Sequence, residues 1–204
     1  MDAASVAGEQ NSMHYVGRGP TAIIAPWNFP CAILCGMTSA ALVAGNTVIM
    51  KPAEQSSAVG QALFRLMLEA GFPEDVVHFL PGRGESVGAA LVAHPGVAQI
   101  AFTGSVPVGQ AIMKAAAEPR PNQFHVKRVV CEMGGKNAIV IDESADLDEA
   151  VSGSLTSAFG YAGQKCSAAS RIIVLDRVYD AFVERFAAAA ATLRVKPATN
   201  PACD

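Results

Sequence analysis

Five short segments of this chain set reactive or ligand-holding residue types beside glycine or proline. Cys166 stands in Gly163-Gln164-Lys165-Cys166-Ser167, read here as a glycine-punctuated turn ahead of a helix. A thiolate is a strong nucleophile near neutral pH and needs little activation. Glu132 ends a strand of the type Lys-Arg-Val-Val-Cys-Glu, from Lys127, and two glycines, Gly134 and Gly135, follow closely. That is where a general base would sit, at a strand end beside flexible backbone; a solvated loop carboxylate fits the same residue. Asn28 lies in Pro26-Trp27-Asn28-Phe29-Pro30, whose prolines stiffen the turn. Its amide can donate to a developing oxyanion or close an Asx-type turn. Phe102-Thr103-Gly104-Ser105, with Gly109 beyond, is a glycine turn at a helix start. Free N–H groups and the helix dipole suit a phosphate there. Lys51-Pro52-Ala53-Glu54 can hold ribose hydroxyls, or be a surface pair of small energetic weight.

These residues need elements to position them. Residues 21–25, 47–50, 76–80 and 99–102 read as strands, being short apolar runs bounded by turn residues. Between them, helices are expected from Cys31 to about Ala44, stopped by Gly45-Asn46, and from a Ser56 or Ser57 cap to Ala70, stopped by Gly71. A short helix is expected over 85–93 and another over 106–117, with Pro107 in its first turn. Residues 118–123 read as a loop. Strand and helix in alternation favour an open parallel sheet with helices on both faces. Beyond it, strands over 126–131, 137–141 and 171–175 and helices over 147–159 and 178–193 begin a second α/β unit. The expected divisions are a leader over 1–18, a cofactor domain over 19–132, the start of a catalytic domain over 133–195, and a tail over 196–204.

Bulk properties narrow the function classes. The chain has 204 residues and a net charge of −3, with 16% charged and 51% hydrophobic residues, a globular composition without a basic face for nucleic acid. No apolar stretch approaches the roughly 18 residues that span a bilayer, and the first fifteen residues lack a signal-peptide core, so no membrane partner and a cytoplasmic setting are expected. Five cysteines, an odd number without paired spacing, argue against a disulfide framework. The four histidines are isolated and no metal motif occurs. Neither Gly-x-Gly-x-x-Gly nor a Walker P-loop is present.

Taken together and in this order, the five segments resemble the aldehyde dehydrogenase superfamily over nearly all of residues 16–195. The fold this resemblance implies is the family's variant of the Rossmann sheet. It implies that Cys166 attacks an aldehyde carbon, that Asn28 and the Cys166 N–H hold the oxyanion, and that Glu132 activates water against the thioester and can assist thiol deprotonation. It implies NAD as cofactor, with NADP possible, held by Pro26, Trp27, Lys51, Glu54, Gly84, Gly104 and Ser105. A carboxylate at Glu54 favours NAD, because a 2′-phosphate would lie close to it. The run from Gln123 to Arg128 and the segment from Gly163 to Arg171 are similar to L-glutamate γ-semialdehyde (1-pyrroline-5-carboxylate) dehydrogenases of proline breakdown, in which Ser167 would touch the substrate carboxylate. Family members are longer and commonly homo-oligomeric. Their later Glu-x-Phe-Gly-Pro segment has no match here, so the chain is expected to be truncated or completed by another chain, with little turnover alone. Two alternatives stand beside this one: a CoA-acylating relative, which Glu132 argues against, and a non-catalytic dinucleotide-binding module.

Overall fold

A computed structural model of the chain describes Ala4 and residues 6–203. The expected leader and tail therefore fall partly outside the described residues. The chain divides into two compact units that meet between Met133 and Gly134.

The first unit is a five-stranded parallel sheet. Its strands are β1 (Thr21–Ile24), β2 (Val48–Lys51), β3 (Val77–Phe79), β4 (Gln99–Gly104) and β5 (Arg128–Met133), in the order β3-β2-β1-β4-β5. Its helices are α1 (Ala32–Val43), α2 (Ser57–Glu69), α3 (Ala89–Ala93) and α4 (Val106–Ala117). Central β1 is buried along its whole length, which is why it reads as an unbroken apolar run. Alternate residues of the sheet serve two cores. Ala22, Ile24, Ile100 and Phe102 pack with Leu91, Val92, Ile112 and Ala116 from α3 and α4. Ile23, Val48 and Met50 pack with Leu34, Ala41, Leu63 and Met67 from α1 and α2. Helices thus cover both faces, as the alternating pattern requires.

Local signals explain most helix ends. Gly45 takes φ +82° and its N–H donates to Leu42 O, while Asn46 N–H donates to Ala41 O, closing α1. Gly71, at φ +94°, ends α2 in the same way. The serine cap expected for α2 is absent. Ser56 and Ser57 both turn their hydroxyls back as donors to Ala53 O, behind a 3-10 turn over Glu54–Ser56. The helix expected over 85–93 opens instead with a π turn, Gly84–Gly88, before α3.

In the second unit β6 (Asn137–Ile141) pairs in parallel with β7 (Ala169–Val174). Helices α5 (Leu147–Phe159) and α6 (Asp176–Ala191) cover one face of the pair through Ile141, Val151 and Phe182. Asp146 caps α5 by accepting from the N–H groups of Asp148 and Glu149. Phe182 is fully buried and stacks on Phe186 at 5.6 Å.

No described helix is long and apolar enough to cross a membrane. Among the described residues no cluster of His, Cys, Asp or Glu could hold a metal ion.

Candidate active site

The register of the first sheet brings four of the five segments to one edge. Lys51 pairs with Ile24, Ile24 with Phe102, and Phe102 with Cys131. One row of residues thus crosses the carboxyl ends of β2, β1, β4 and β5. Each of these four segments leaves the sheet within a few residues of that row. β1 connects through α1 to β2 on one side, while β4 lies on its other side, so β1 and β4 bound a topological switch point. Open α/β sheets bind ligands in the crevice outside such a point. Pro26, Trp27 and Asn28 flank it from β1, with Trp27 half exposed. Gly104 and Ser105 flank it from β4.

Around β2, Lys51, Glu54 and Gly84 form one cluster. Lys51 is buried and its ammonium donates to Pro52 O at 3.0 Å, with Glu54 Oε1 3.7 Å away. The same carboxylate oxygen accepts from Gly84 N–H at 2.6 Å. The Glu54 carboxyl is held below the usual carboxylate range. Its own backbone N–H contributes most, against partial desolvation, followed by the Gly84 N–H and the Lys51 ammonium. An anionic acceptor is thereby fixed where hydroxyl groups can donate to it.

At β4 the backbone turns into α4. Ser105 is the N-cap residue, yet its side chain caps nothing, so the first-turn N–H groups of Val106 and Val108 are left to other acceptors. Gly109 is needed for the close seat of this helix. A Cβ there would lie 2.6 Å from Met133 Sδ and 3.3 Å from the Phe102 ring.

Glu132 lies inside β5, opposite Thr103, and not just past the strand as the sequence suggests. The alternation of β5 places Val129, Cys131 and Met133 against the α3–α4 core, and Glu132 on the other face, exposed. Thr103, its partner, donates to Met37 Sδ of α1, so Glu132 shares the face that α1 covers. The β5 backbone lies about 10 Å from that of β1, two strand spacings. Cys131 is a core thiol. Burial pushes its pKa up, and its Sγ lies 3.9 Å from Gly109 O.

Within the second unit, Cys166 and Ser167 are exposed in a turn that leads into β7, not into a helix. Three consecutive residues before it, Tyr161, Ala162 and Gly163, take left-handed φ values of 60°, 54° and 69°. Two of them carry side chains, so the approach to Cys166 is strained. Sequence reasoning took Asn137 only as the start of a strand. Its amide donates to Cys166 O at 2.7 Å and to Ala168 O at 3.2 Å. The signal that could have found it is its place directly after the Gly-Gly-Lys segment. Asn46, expected only as part of a helix stop, and Lys127 are each a buried polar residue with several backbone partners.

A model of the aldehyde dehydrogenase family matches residues 2–204. The chain belongs to the aldehyde dehydrogenase family. It is 48% identical over 178 residues to 1-pyrroline-5-carboxylate dehydrogenase 2 of Bacillus subtilis (strain 168), an overlap of 87% of this chain and 35% of that protein. Among solved structures it resembles proline utilization A from Bdellovibrio bacteriovorus inactivated by N-propargylglycine. The identity there is 60% and the TM-score 0.89, over 92% of this chain and 20% of the other. It also resembles 1-pyrroline-5-carboxylate dehydrogenase from Thermus with bound NAD, at 50% identity and TM-score 0.85, over 87% of this chain and 34% of the other. The chain spans about a third of the length of the curated relatives it matches.

Proposed function

We propose that this chain serves the NAD-dependent oxidation of an aldehyde to a carboxylic acid through a thioester on Cys166, with L-glutamate γ-semialdehyde as the substrate. The observation that carries the reading is the Lys51–Glu54–Gly84 cluster on the edge that also bears Asn28, Ser105 and Glu132, in a family member about half identical to named 1-pyrroline-5-carboxylate dehydrogenases.

The residues fit the cofactor. Glu54 presents a fixed anionic acceptor for ribose hydroxyls, Lys51 donates beside it, and the uncapped start of α4 at Ser105 suits a pyrophosphate. Pro26, Trp27, Gly84 and Gly104 would line the same edge. When bound, NAD supplies a hydride acceptor. Cys166 attacks the aldehyde carbon as the thiolate and forms a hemithioacetal. Asn28 and the Cys166 N–H hold the oxyanion. After oxidation the carbon is a thioester on Cys166. Glu132 takes a proton from water, the hydroxide displaces the sulfur, and the acid leaves with the thiol restored. Ser167 would donate to the substrate's carboxylate. Full-length relatives are read as homo-oligomers.

NADH formation by the purified chain with L-glutamate γ-semialdehyde, beside Cys166→Ala, is the test. Turnover that depends on Cys166 supports the whole reading. NAD binding without turnover limits this chain to holding the cofactor, and absence of both overturns the reading.

A further inference from the structure

The second unit contains an amide whose geometry is out of proportion to its place in the sequence. Asn137 opens β6, and its pairing with β7 is irregular. Asn137 is opposite Ala169, yet the next residue, Ala138, is opposite Arg171. Ser170 is therefore the extra residue of a bulge, a device that re-aims a side chain at a strand end. The Ser170 hydroxyl donates to Asn137 O at 3.4 Å, which fastens the bulge. The side chain so aimed donates to two carbonyls of the nucleophile turn, Cys166 O at 2.7 Å and Ala168 O at 3.2 Å. The backbone before it is shaped for this. A Cβ on Gly135 would lie 3.2 Å from Asn137 Oδ1 and 3.6 Å from Cys166 O. The neighbouring peptide is tied as well, since Arg171 donates to Lys136 O at 2.7 Å.

We infer that Asn137 is the positioning residue of the nucleophile, its amide clamping the Cys166 turn onto the start of β6. By holding Cys166 O it fixes the plane of the peptide that joins Cys166 to Ser167. By holding Ala168 O it fixes the exit of the turn into β7. The strained left-handed run from Tyr161 to Gly163 sets the entry of the same turn. A nucleophile and a neighbouring N–H that must act on one carbonyl need this rigidity, because loss of about an ångström of alignment costs orders of magnitude in rate. The catalytic meaning of the clamp rests on the reading of Cys166 given above; the clamp itself does not.

Two variants of the whole chain test it. Asn137→Ala removes the amide, and Asn137→Asp keeps its shape but replaces both donors with acceptors facing carbonyl oxygens. Hydrogen exchange of the amides over 165–168 should rise tenfold or more in both, with the exchange of α5 and α6 unchanged. The rate of iodoacetamide labelling at Cys166, followed across pH and read by peptide mass, should move to the rate of the same residue in the unfolded chain. Labelling at exposed Cys31 should stay as it was. Unchanged exchange and labelling at the turn overturns the inference, and so does loosening spread evenly through the unit, which would mark a purely structural residue. Cys166→Ala separates the two readings. If that variant keeps full NADH formation, Cys166 is not the nucleophile, whatever Asn137 does to the turn. If Cys166 is essential and the Asn137 variants keep wild-type turnover, the positioning role fails alone.

Discussion

Glu54 Oε1 lies 3.7 Å from Lys51 Nζ and accepts a 2.6 Å hydrogen bond from Gly84 N–H, so one carboxylate joins the end of β2 to the segment after β3. Glu54→Gln keeps the acceptor and removes the charge. A 2′-phosphate beside a carboxylate loses about 1 kcal/mol at roughly 4 Å in water. Titration calorimetry should therefore show the NADP-to-NAD affinity ratio rising about fivefold in this variant. An unmoved ratio separates Glu54 from cofactor choice. The pH dependence has a definite sign. A carboxyl whose folded pKa is lowered stabilises fully above its ordinary value and loses that contribution as pH falls through the lowered one. The melting temperatures of wild type and Glu54→Gln should converge in acid and separate on return towards neutral pH.

Lys127 performs a different task at the opposite end of the same sheet. It is 7% exposed and donates to Val92 O in the last turn of α3 and to His94 O just beyond it, each at 2.6 Å. Lys127→Met keeps the apolar stem and removes the ammonium from Val92 O and from His94 O, which retains the Val97 N–H, at a cost of about 1–3 kcal/mol in urea denaturation. The ammonium's pKa is pushed below the ordinary lysine value, by burial first and by the Arg120 guanidinium second. A lowered folded pKa means that the native state releases its proton first, so stability relative to the methionine variant rises with pH through the alkaline range below the ordinary value. A difference that falls with pH would contradict this assignment of the buried charge.

Asn46 holds the entry to β1. It is 6% exposed; its Oδ1 accepts from Arg18 N–H at 2.7 Å and Gly19 N–H at 3.2 Å, and its amide donates to Ala41 O at 3.0 Å. Asn46→Ala takes the side-chain acceptor from the Arg18 and Gly19 N–H groups and one of two donors from Ala41 O, which keeps the residue-46 backbone N–H, and should cost about 2–4 kcal/mol. Asn46→Asp keeps both acceptor bonds and should cost roughly 1 kcal/mol. Denaturant midpoints rank the two variants, and equal losses would show that the Ala41 bond carries the whole effect.

The elements were legible because their signals are local. Residues 106–117, 137–141 and 147–159 form the elements expected of them to the residue, since a proline in the first turn, an apolar run and an acidic first turn each act within one element. The parallel sheet with helices on both faces arises from alternation, and the paired row from Lys51 to Cys131 explains why motifs far apart in sequence share an edge. The features that the sequence hid depend on partners distant along the chain. Ser56 looks like a cap until the 3-10 turn before it gives its hydroxyl the Ala53 carbonyl as partner. Asn137 looks like an ordinary strand residue until the bulge aims it at a carbonyl 29 positions away. The apolar run over 171–175 marks the strand after the Cys166 turn, but the glycines before it mark only a break in regular structure and not the left-handed path of that break.

The left-handed run before Cys166 permits a prediction in which two backbone effects compete. Ala162 sits at φ 54°, ψ 27°, and such a conformation costs a residue with a Cβ about 1–2 kcal/mol. Ala162→Gly removes that strain but adds roughly 0.5–1 kcal/mol of conformational entropy to be lost on folding. Relief of strain outweighs the entropy cost, so the variant should be more stable, by about 0.5–1 kcal/mol. The same substitution at Ala187, exposed in the interior of α6, carries only the entropy and propensity cost and should lose about 1 kcal/mol. Opposite signs for one chemical change in one unit isolate the backbone effect from any loss of side-chain contact. If Ala162→Gly destabilises as much as Ala187→Gly, the run carries no strain, and its hold on the entry to the Cys166 turn fails with it.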